Sequence, residues 1–520
     1  MKGRKFIIPI LLTSLLMTGC NMMASNEKKN ETTEEKVDPN KPYLVSKKPS
    51  ELTIHYNYLD GKYVFNDDWA AFKKISELTN VSLKGVSSKT STNSQEAFNL
   101  MIASGEIPNL VYGSKDDINK YSVEGAFLPL DGLIKDHAPN IQKYFKKYPE
   151  LKTLAASDGK IYMIPFIYSE GTAEGYFIRQ DWLDKLGLKM PETVEDYYKV
   201  LKAFKEKDPN GNGKKDEIPF FMRENFAFNQ LVTLWGASEG LYIDDDKVRF
   251  GPMEKEFGEA MENLAKWYKE GLLDPEIFTR GSAARDYMLG NNIGGSTRDW
   301  FPSTSAFNGK LPEKIPGFHF VTMAPPENPK GERVEPTSRS PLTTEGIAIG
   351  FKTEDPAIAI KYLDFLFTDE GRKIMNYGIE GVTYDLKDGK PVLKEEILNS
   401  ESIPESLREY GVQHSFVYHH DSEYEKQFLH EEGVKGVELY EKGKYMREAF
   451  PVLNFNNEEE KIVADSGAQL TTYIEETMQK WVLGKEKVDH KGFVEKLKKL
   501  GVEKYIDANQ DAYNKYKKNM

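Results

Sequence analysis

The 520-residue chain has one cysteine, Cys20, and only eight histidines. A single thiol excludes an intramolecular disulfide, and it excludes a cysteine nucleophile or cysteine–metal site anywhere beyond position 20. Histidine is equally sparse as a source of chemistry. His419, His420, Asp421 and His430 gather in YHHDSEYEKQFLHEE (418–432), but without HExxH-type spacing, and they read as a solvated loop rather than a zinc site. No GxSxG, Walker loop or dinucleotide fingerprint stands in a strand-to-helix setting. Positive charge is also short. The formal net charge is −12 and no domain-sized stretch is basic, which argues against nucleic acid as a partner. The apolar run Phe6–Met17 falls short of the roughly 20 residues that span a bilayer.

What is present is ample material for a core: 39% hydrophobic and 12% aromatic residues, in a chain too long for one compact core. The first residues have the layout of a processing signal. Lys2, Arg4 and Lys5 precede the apolar run, and Met17-Thr18-Gly19-Cys20 closes it. A small residue before a cysteine at this place resembles the lipobox of bacterial lipoproteins. The resemblance implies cleavage before Cys20 and a diacylglyceryl group on its thiol, so that residues 1–19 are a lipoprotein signal peptide. The plain alternative is a secretory signal with a chance cysteine. Removing 1–19 takes away three basic and no acidic residues, which leaves the remaining chain more acidic still. Residues 20–48 are rich in Asn, Glu, Lys, Thr and Ser and too poor in apolar side chains to form a core. We read them as a flexible tether, with an end-to-end distance of about 30 Å.

Order is expected from Leu52. LTIHYNY alternates like a strand, WAAFKKISELT (69–79) puts Phe72, Ile75 and Leu78 on one helix face, and NSQEAFNLMIASGEIPNLVYG repeats helix, turn and buried strand. Such alternation predicts a mainly parallel sheet covered by helices. Further on, GYFIRQDWLDKLGL predicts a strand at Tyr176–Arg179 running into a helix. Thr193 with Asp196 marks a helix start, and Val194, Tyr197, Leu201 and Phe204 line one face. EGIAIGF reads as a strand, PAIAIKYLDFLFTDEGRKIMNYG as one long helical stretch, and 459–481 as a C-terminal helix. No internal repeat of fixed period occurs.

Five stretches in order carry a more specific likeness: NLMIASGEIPNLVYG (99–113), FLPLDGLIKDHAPNI (127–141), DGKIYMIPF (158–166), YFIRQDWLDKLGLKMPETVEDYYKVLKAFKEKDPNGNGKKDEIPF (176–220) and IKYLDFLFTDEGRKIMNYGIEGVTY (360–384). Behind a lipobox, they resemble the extracellular solute-binding proteins, family 1, of ABC importers, and most of all the alginate-oligosaccharide-binding branch. The resemblance implies an α/β, two-lobed periplasmic-binding-protein-like fold with discontinuous lobes joined by hinge strands. The N-terminal lobe is expected from 49–172 with 346–449, and the C-terminal lobe from 173–345 with 450–520. Crossings are expected near Glu170–Tyr176, Thr343–Ile349 and Phe450–Phe455. It implies a monomer held by a lipid anchor on the extracytoplasmic face of the bacterial cell membrane. There it would capture a carbohydrate between the lobes and deliver it to ABC permease transmembrane subunits. The competing class is a secreted polysaccharide-acting hydrolase or lyase, and turnover separates the two, because a binding protein releases its ligand unchanged.

Within the fourth stretch, DPNGNGKKDE offers hard oxygen donors in the order of an EF-hand loop. Asp208, Asn210 and Asn212 fill positions 1, 3 and 5, Gly213 fills 6, the Lys214 carbonyl 7 and Asp216 9. Position 12 is Pro219, so Glu217 has to close the shell. In the alginate-binding branch the same Asp-x-Asn-x-Asn-Gly-x-x-Asp-Glu pattern binds calcium, which implies a structural Ca²⁺ here. The plain alternative is a solvated Asn-Gly turn. For a sugar, aromatic faces and hydroxyl-bonding groups are expected from Arg298, Asp299 and Trp300 in a glycine-rich loop after GNNIGG. Arg223, Asn225, Phe226 and Trp235 in RENFAFNQLVTLWG are further candidates, as are Tyr56, Asn57 and Tyr58 at the end of the first strand. Trp182 and Trp267, on amphipathic helices, are expected in the core.

Overall fold

The computed structural model describes residues 41–519 apart from 170, 224, 337–339, 341 and 401. Cys20 and the tether up to residue 40 therefore lie outside the described residues, as do the side chains of Asn225 and Phe226. From Tyr43 onward the chain forms one unit, built on two sheets.

The first sheet starts with β1 (Ser50–His55), followed by α1 (Ala70–Thr79), β2 (Val81–Gly85), α2 (Ser94–Ser104) and β3 (Leu110–Ser114). β1 pairs in parallel with both β2 and β3. The helices between them supply the right period: α1 buries Ala71, Phe72, Ile75 and Thr79, and Asn80 ends it in the left-handed region. Then come α3 (Lys115–Val123), α4 (Asp131–His137), α5 (Pro139–Lys147) and β4 (Met163–Ile167).

The chain next enters the second sheet at β5 (Glu174–Arg179), continuing through α6 (Gln180–Leu186), α7 (Val194–Glu206), β6 (Ile218–Phe221), α8 (Lys255–Lys269), β7 (Gly294–Trp300) and β8 (Phe320–Met323). The strand order is β8-β5-β7-β6. β5 is antiparallel to β7 and β8, whereas β6 runs parallel to β7. The Thr193–Asp196 capping box starts α7 as its sequence predicts, and Tyr197, Val200, Leu201 and Phe204 face the core. Trp182 and Trp267 are buried there too.

The chain then returns to the first sheet as β9 (Leu342–Ile349), antiparallel to β3 and β4, which gives the order β2-β1-β3-β9-β4. The expected single helix of 356–378 is two, α9 (Pro356–Phe365) and α10 (Asp369–Tyr377). Thr368 breaks the run by capping α10, its hydroxyl accepting from the Gly371 amide.

Two crossings differ from expectation. Thr343–Ile349 is not a hinge but the antiparallel strand inside the first sheet, and the second crossing precedes it, between Met323 and Leu342. The third comes earlier than 450. Helix α11 (Glu431–Gly443) packs on β8, with Tyr440 buried among Phe301, Phe320 and their neighbours. Its hydroxyl donates to the Met323 carbonyl and accepts from the Tyr176 amide. Residues 431–443 thus belong to the second lobe. Segment 450–455 still borders both lobes: Val452 packs on the first core, and Leu453 joins a small cluster with Val248, Ala512 and Tyr513. The buried Lys115 amine of α3 donates to the Leu453 carbonyl (3.3 Å) and Asn454 Oδ1 (2.8 Å). Three helices close the chain, α12 (Asn457–Val482), α13 (His490–Lys499) and α14 (Val502–Asn519).

Candidate functional site

The register fixes which strand ends meet the crossings. In the first sheet, Glu345 near the start of β9 pairs with Ser114 at the end of β3, and His55 at the end of β1 lies beside Val111. In the second sheet, Trp300 at the end of β7 pairs with Glu174 at the start of β5, and Met323 at the end of β8 with Tyr176. Strand ends of α/β sheets are where ligands are held, and each set carries a polar and aromatic cluster.

In the second lobe the cluster centres on Asp299. Its carboxylate accepts from Arg223 Nη2 (2.9 Å) and Nε (3.2 Å), from Arg285 Nη1 (3.1 Å), and from the Trp300 amide (2.7 Å). Arg285 also donates to Ser303 and Thr304 hydroxyls. Two guanidiniums thus meet on one carboxylate beside the half-buried Trp300. Burial pushes the Arg285 pKa down, with Asp299 opposing and Arg223 adding to the fall.

The first lobe offers Tyr58, Tyr63 and Tyr112, with Tyr58 stacked on Tyr63 at 6.2 Å and edge-on to Tyr112 at 5.9 Å. Tyr112 Oη donates to Glu345 (2.6 Å) and Tyr63 Oη to Glu405 (2.6 Å), which also accepts from Arg408 (2.8 Å). Burial and the Glu345 carboxylate raise the Tyr112 pKa. Burial works against ionised Glu405, but hydrogen bonds from Tyr63 and Lys62 and the Arg408 charge hold its pKa below the usual range.

Of the residues singled out in the sequence, Arg223, Asp299 and Trp300 are brought together, though at the end of a strand rather than in a glycine-rich loop. The glycines serve packing: a Cβ on Gly295 would sit 2.7 Å from the Phe204 ring and 2.9 Å from the Pro219 carbonyl. Arg298 points the other way along the strand. It is buried, donates to Glu335 and to Gln230, and pairs with Glu174 at 2.9 Å. Burial disfavours its charge, but Glu335 and then Glu174 outweigh that and hold its pKa above the ordinary value. The structure thus places Arg298 in a buried ion-pair cluster at the crossings. Trp235 packs on Trp267 at 5.1 Å in the second core. Tyr56 is a fully buried core ring against Tyr112 and Phe416. Asn57 is buried, its side-chain oxygen accepting from the Gly61 amide and the Ser94 hydroxyl. The structure places these three in packing and turn-holding positions. Tyr63, Tyr112, Arg285, Glu345, Glu405 and Arg408 were missed. The strand-end rule alone finds Tyr112, whereas nothing in the sequence connects Arg285 to Asp299.

The acidic loop joins α7 to β6. Asp208 accepts from the amides of Gly211, Asn212 and Gly213, and Asn212 Oδ1 from that of Lys214. The amide nitrogens of Asn210 and Asn212 donate to Asp216 at 3.0–3.1 Å. Among the described residues no three His, Cys, Asp or Glu side chains form a ready metal-binding set. One feature nevertheless asks for a cation. Glu217 is fully buried, and neither of its carboxylate oxygens has a hydrogen-bond partner. Burial first, then the charges of Asp208 and Asp216, raise its pKa above the ordinary glutamate value. A hard divalent ion drawing on Asp208, Asp216 and Glu217, with the two amides turned to present oxygen, satisfies that carboxylate, so the donor set fits calcium. His419 and His420, expected in a solvated loop, are packed instead: His420 is buried against Tyr424, and His419 lies against Tyr144.

Two α/β lobes linked by three crossings, with charged and aromatic clusters at the facing strand ends, define a two-lobed binding protein. The model of the bacterial extracellular solute-binding proteins matches residues 70–383, and the chain belongs to that family. The structure of alginate-binding protein AlgQ2 without calcium ion is 42% identical and superposes with a TM-score of 0.77 over 91% of this chain and 99% of that one. Lipoprotein LipO of Bacillus subtilis is 27% identical over 459 residues, 84% of this chain and 87% of its own length. The fructooligosaccharide ABC transporter substrate-binding protein FusA of Streptococcus pneumoniae serotype 4 is 36% identical over 212 residues, 36% of this chain and 39% of its own.

Proposed function

We propose that the chain is the lipid-anchored substrate-binding subunit of an ABC importer, taking an oligosaccharide, acidic by preference, between its lobes and handing it to the permease subunits. The carrying observation is Asp299 clamped by Arg223 and Arg285 beside the half-exposed Trp300 at the strand end where the first crossing arrives. An indole face suits the apolar face of a pyranose, and a pair of neighbouring guanidiniums suits a uronate carboxylate. The likeness to alginate-binding AlgQ2 supports the acidic choice. Calorimetric titration of the purified protein with uronate and neutral oligosaccharides of equal length is the test. One-to-one binding that favours the uronate, with the sugar recovered unchanged, is expected. Cleavage of the sugar favours the hydrolase or lyase reading instead.

Trp300→Ala is expected to weaken the affinity by at least about tenfold, roughly 1.4 kcal/mol, with little change in melting temperature. Trp235→Ala is the contrast, costing about 3–5 kcal/mol of stability as a buried indole does. A Trp300→Ala protein that melts early yet binds normally places Trp300 in the core.

Calcium held by Asp208, Asn210, Asn212, the Lys214 carbonyl, Asp216 and Glu217 pins the loop between α7 and β6. When bound, the ion supplies the positive charge that the buried Glu217 lacks. The lipid anchor is carried by Cys20: Cys20→Ala is expected to abolish lipid modification, read by mass spectrometry of the purified chain, while leaving sugar binding intact.

A further inference from the structure

A cavity of about 560 Å³ lies in the first lobe, between one face of α5 and the first turn of α10. Lys143, Tyr144 and Lys147 reach it from α5. Phe367, Thr368 and Arg372 come from the start of α10, and Tyr43 and His419 complete the wall. None of these is in either strand-end cluster or in the acidic loop.

Its charge is unlike that of the rest of the protein. The chain as a whole carries −12, yet three cations line this cavity. Lys143 donates only to the Asn140 side-chain oxygen (3.1 Å), and Lys147 only to the Tyr148 hydroxyl, over whose ring it lies at 4.4 Å. Arg372 makes no side-chain hydrogen bond among the described residues. Among the described residues none of the three is within ion-pair distance of a carboxylate. The one acidic group on the wall, Asp369, is exposed. Two side chains also bury polar atoms with nothing to satisfy them. Arg372 Nε is one, and both ring nitrogens of His419 are the others. Buried donors without partners are uncommon in native proteins and costly to leave unsatisfied. Burial, followed by the charges of Arg372 and Lys147, lowers the His419 pKa to about 3, so the ring is neutral and offers one N–H donor beside the cations. A net charge of about +2, a forked guanidinium with an idle Nε and a neutral imidazole donor form a receptor for an anionic phosphate group, monoester or diester. The start of α10 adds its dipole in the same sense.

We propose that this cavity binds a phosphate group. The volume exceeds that of a bare ion, and the rings of Tyr43, Tyr144 and Phe367 give its carbon-bearing remainder an apolar wall. Tyr43 also places the cavity where the chain enters the folded unit, 23 residues after Cys20. On the lipid-anchor reading, a tether of that length keeps the cavity within about 30 Å of the membrane surface. Two sources carry the same chemistry there: the headgroup of an anionic phospholipid, which would orient the lobe on the membrane, and a soluble phosphate ester.

The test uses the full-length chain in a neutral polyoxyethylene detergent, titrated calorimetrically with glycerol 3-phosphate and with dihexanoyl phosphatidylglycerol below its micelle concentration. At least one is expected to bind one-to-one, with affinity falling as salt rises. Tighter binding of the phosphatidylglycerol assigns the lipid source and tighter binding of glycerol phosphate the soluble one. Arg372→Gln with Lys147→Gln is expected to weaken that binding by at least tenfold, and Lys143→Gln with Lys147→Gln, which leaves the guanidinium in place, by a similar factor. Oligosaccharide binding on the same samples is expected to be unchanged, which separates failure of this site from failure of the cleft. If neither probe binds the wild-type chain, or if the Lys143→Gln/Lys147→Gln chain binds as tightly as wild type, the proposal is overturned.

Discussion

Arg298→Met is expected to cost about 3–5 kcal/mol of stability, the largest effect of any single substitution outside the apolar cores. The guanidinium is buried between Glu335, itself fully buried, and Glu174. Methionine fills most of the volume but takes the guanidinium away from both carboxylates, whose burial is then less well compensated. Position matters as much as charge. Glu174 begins β5 where the first crossing arrives. Glu335 lies in the second crossing, and its backbone exchanges hydrogen bonds with Tyr445 and Arg447 in the segment after α11. One arginine therefore ties three passages of chain at the junction of the lobes. Chemical denaturation of Arg298→Met, Glu335→Gln and the double variant provides the check. The double variant is expected to recover part of the loss, because it removes a buried negative charge that the guanidinium no longer balances. A single-variant loss below about 1 kcal/mol would show that the cluster is solvated and not a structural tie.

That arginine also shows where the sequence stops speaking. STRDWF presents a polar and aromatic cluster, and a one-dimensional reading assigns its three functional residues to one role. Strand geometry divides them instead, since alternate residues point to opposite faces. Arg298 goes to the crossings and Asp299 to the Arg223–Arg285 clamp, with Trp300 at the strand end. Period and capping are local, so they are legible: Thr193–Asp196, the Phe72–Ile75 face and the buried Trp182 follow from neighbours a few residues away. Partners distant in sequence are not. Arg285 meets Asp299 from a separate helix, and Tyr63 meets Glu405 from another pass of the chain. The crossings fail for a related reason. EGIAIGF is a good strand wherever it lies, and only its pairing with β3 and β4 shows that it belongs inside the first sheet. The α/β class and the two lobes rest on a pattern repeated along the chain, so they withstand such errors.

Glu217→Gln is expected to separate the two faces of the acidic loop. In the metal-free protein the buried carboxylate has a pKa raised above the ordinary 4.5, by burial first and by Asp208 and Asp216 next. A carboxyl group whose folded pKa is raised binds its proton more tightly in the native state. Its ionisation therefore destabilises the fold, and that penalty grows as the pH climbs from the unfolded value through the folded one. In chelator, Glu217→Gln is expected to be more stable than wild type near neutral pH, with the difference vanishing as the pH falls to about 4.5 and below. Calcium should reverse the order. Wild type is expected to gain about 2.7–4.1 kcal/mol in calcium at 100 to 1,000 times its dissociation constant, a gain that fades on acidification because the carboxylates must be ionised to bind. Glu217→Gln keeps the shape but loses the charge that closes the shell, so its response to calcium is expected to be largely lost. Melting curves of both proteins in calcium and in chelator across pH 4–8 read all four states. Equal stabilisation of wild type and Glu217→Gln by calcium would remove Glu217 from the metal site, and its orphaned oxygens would then need another partner.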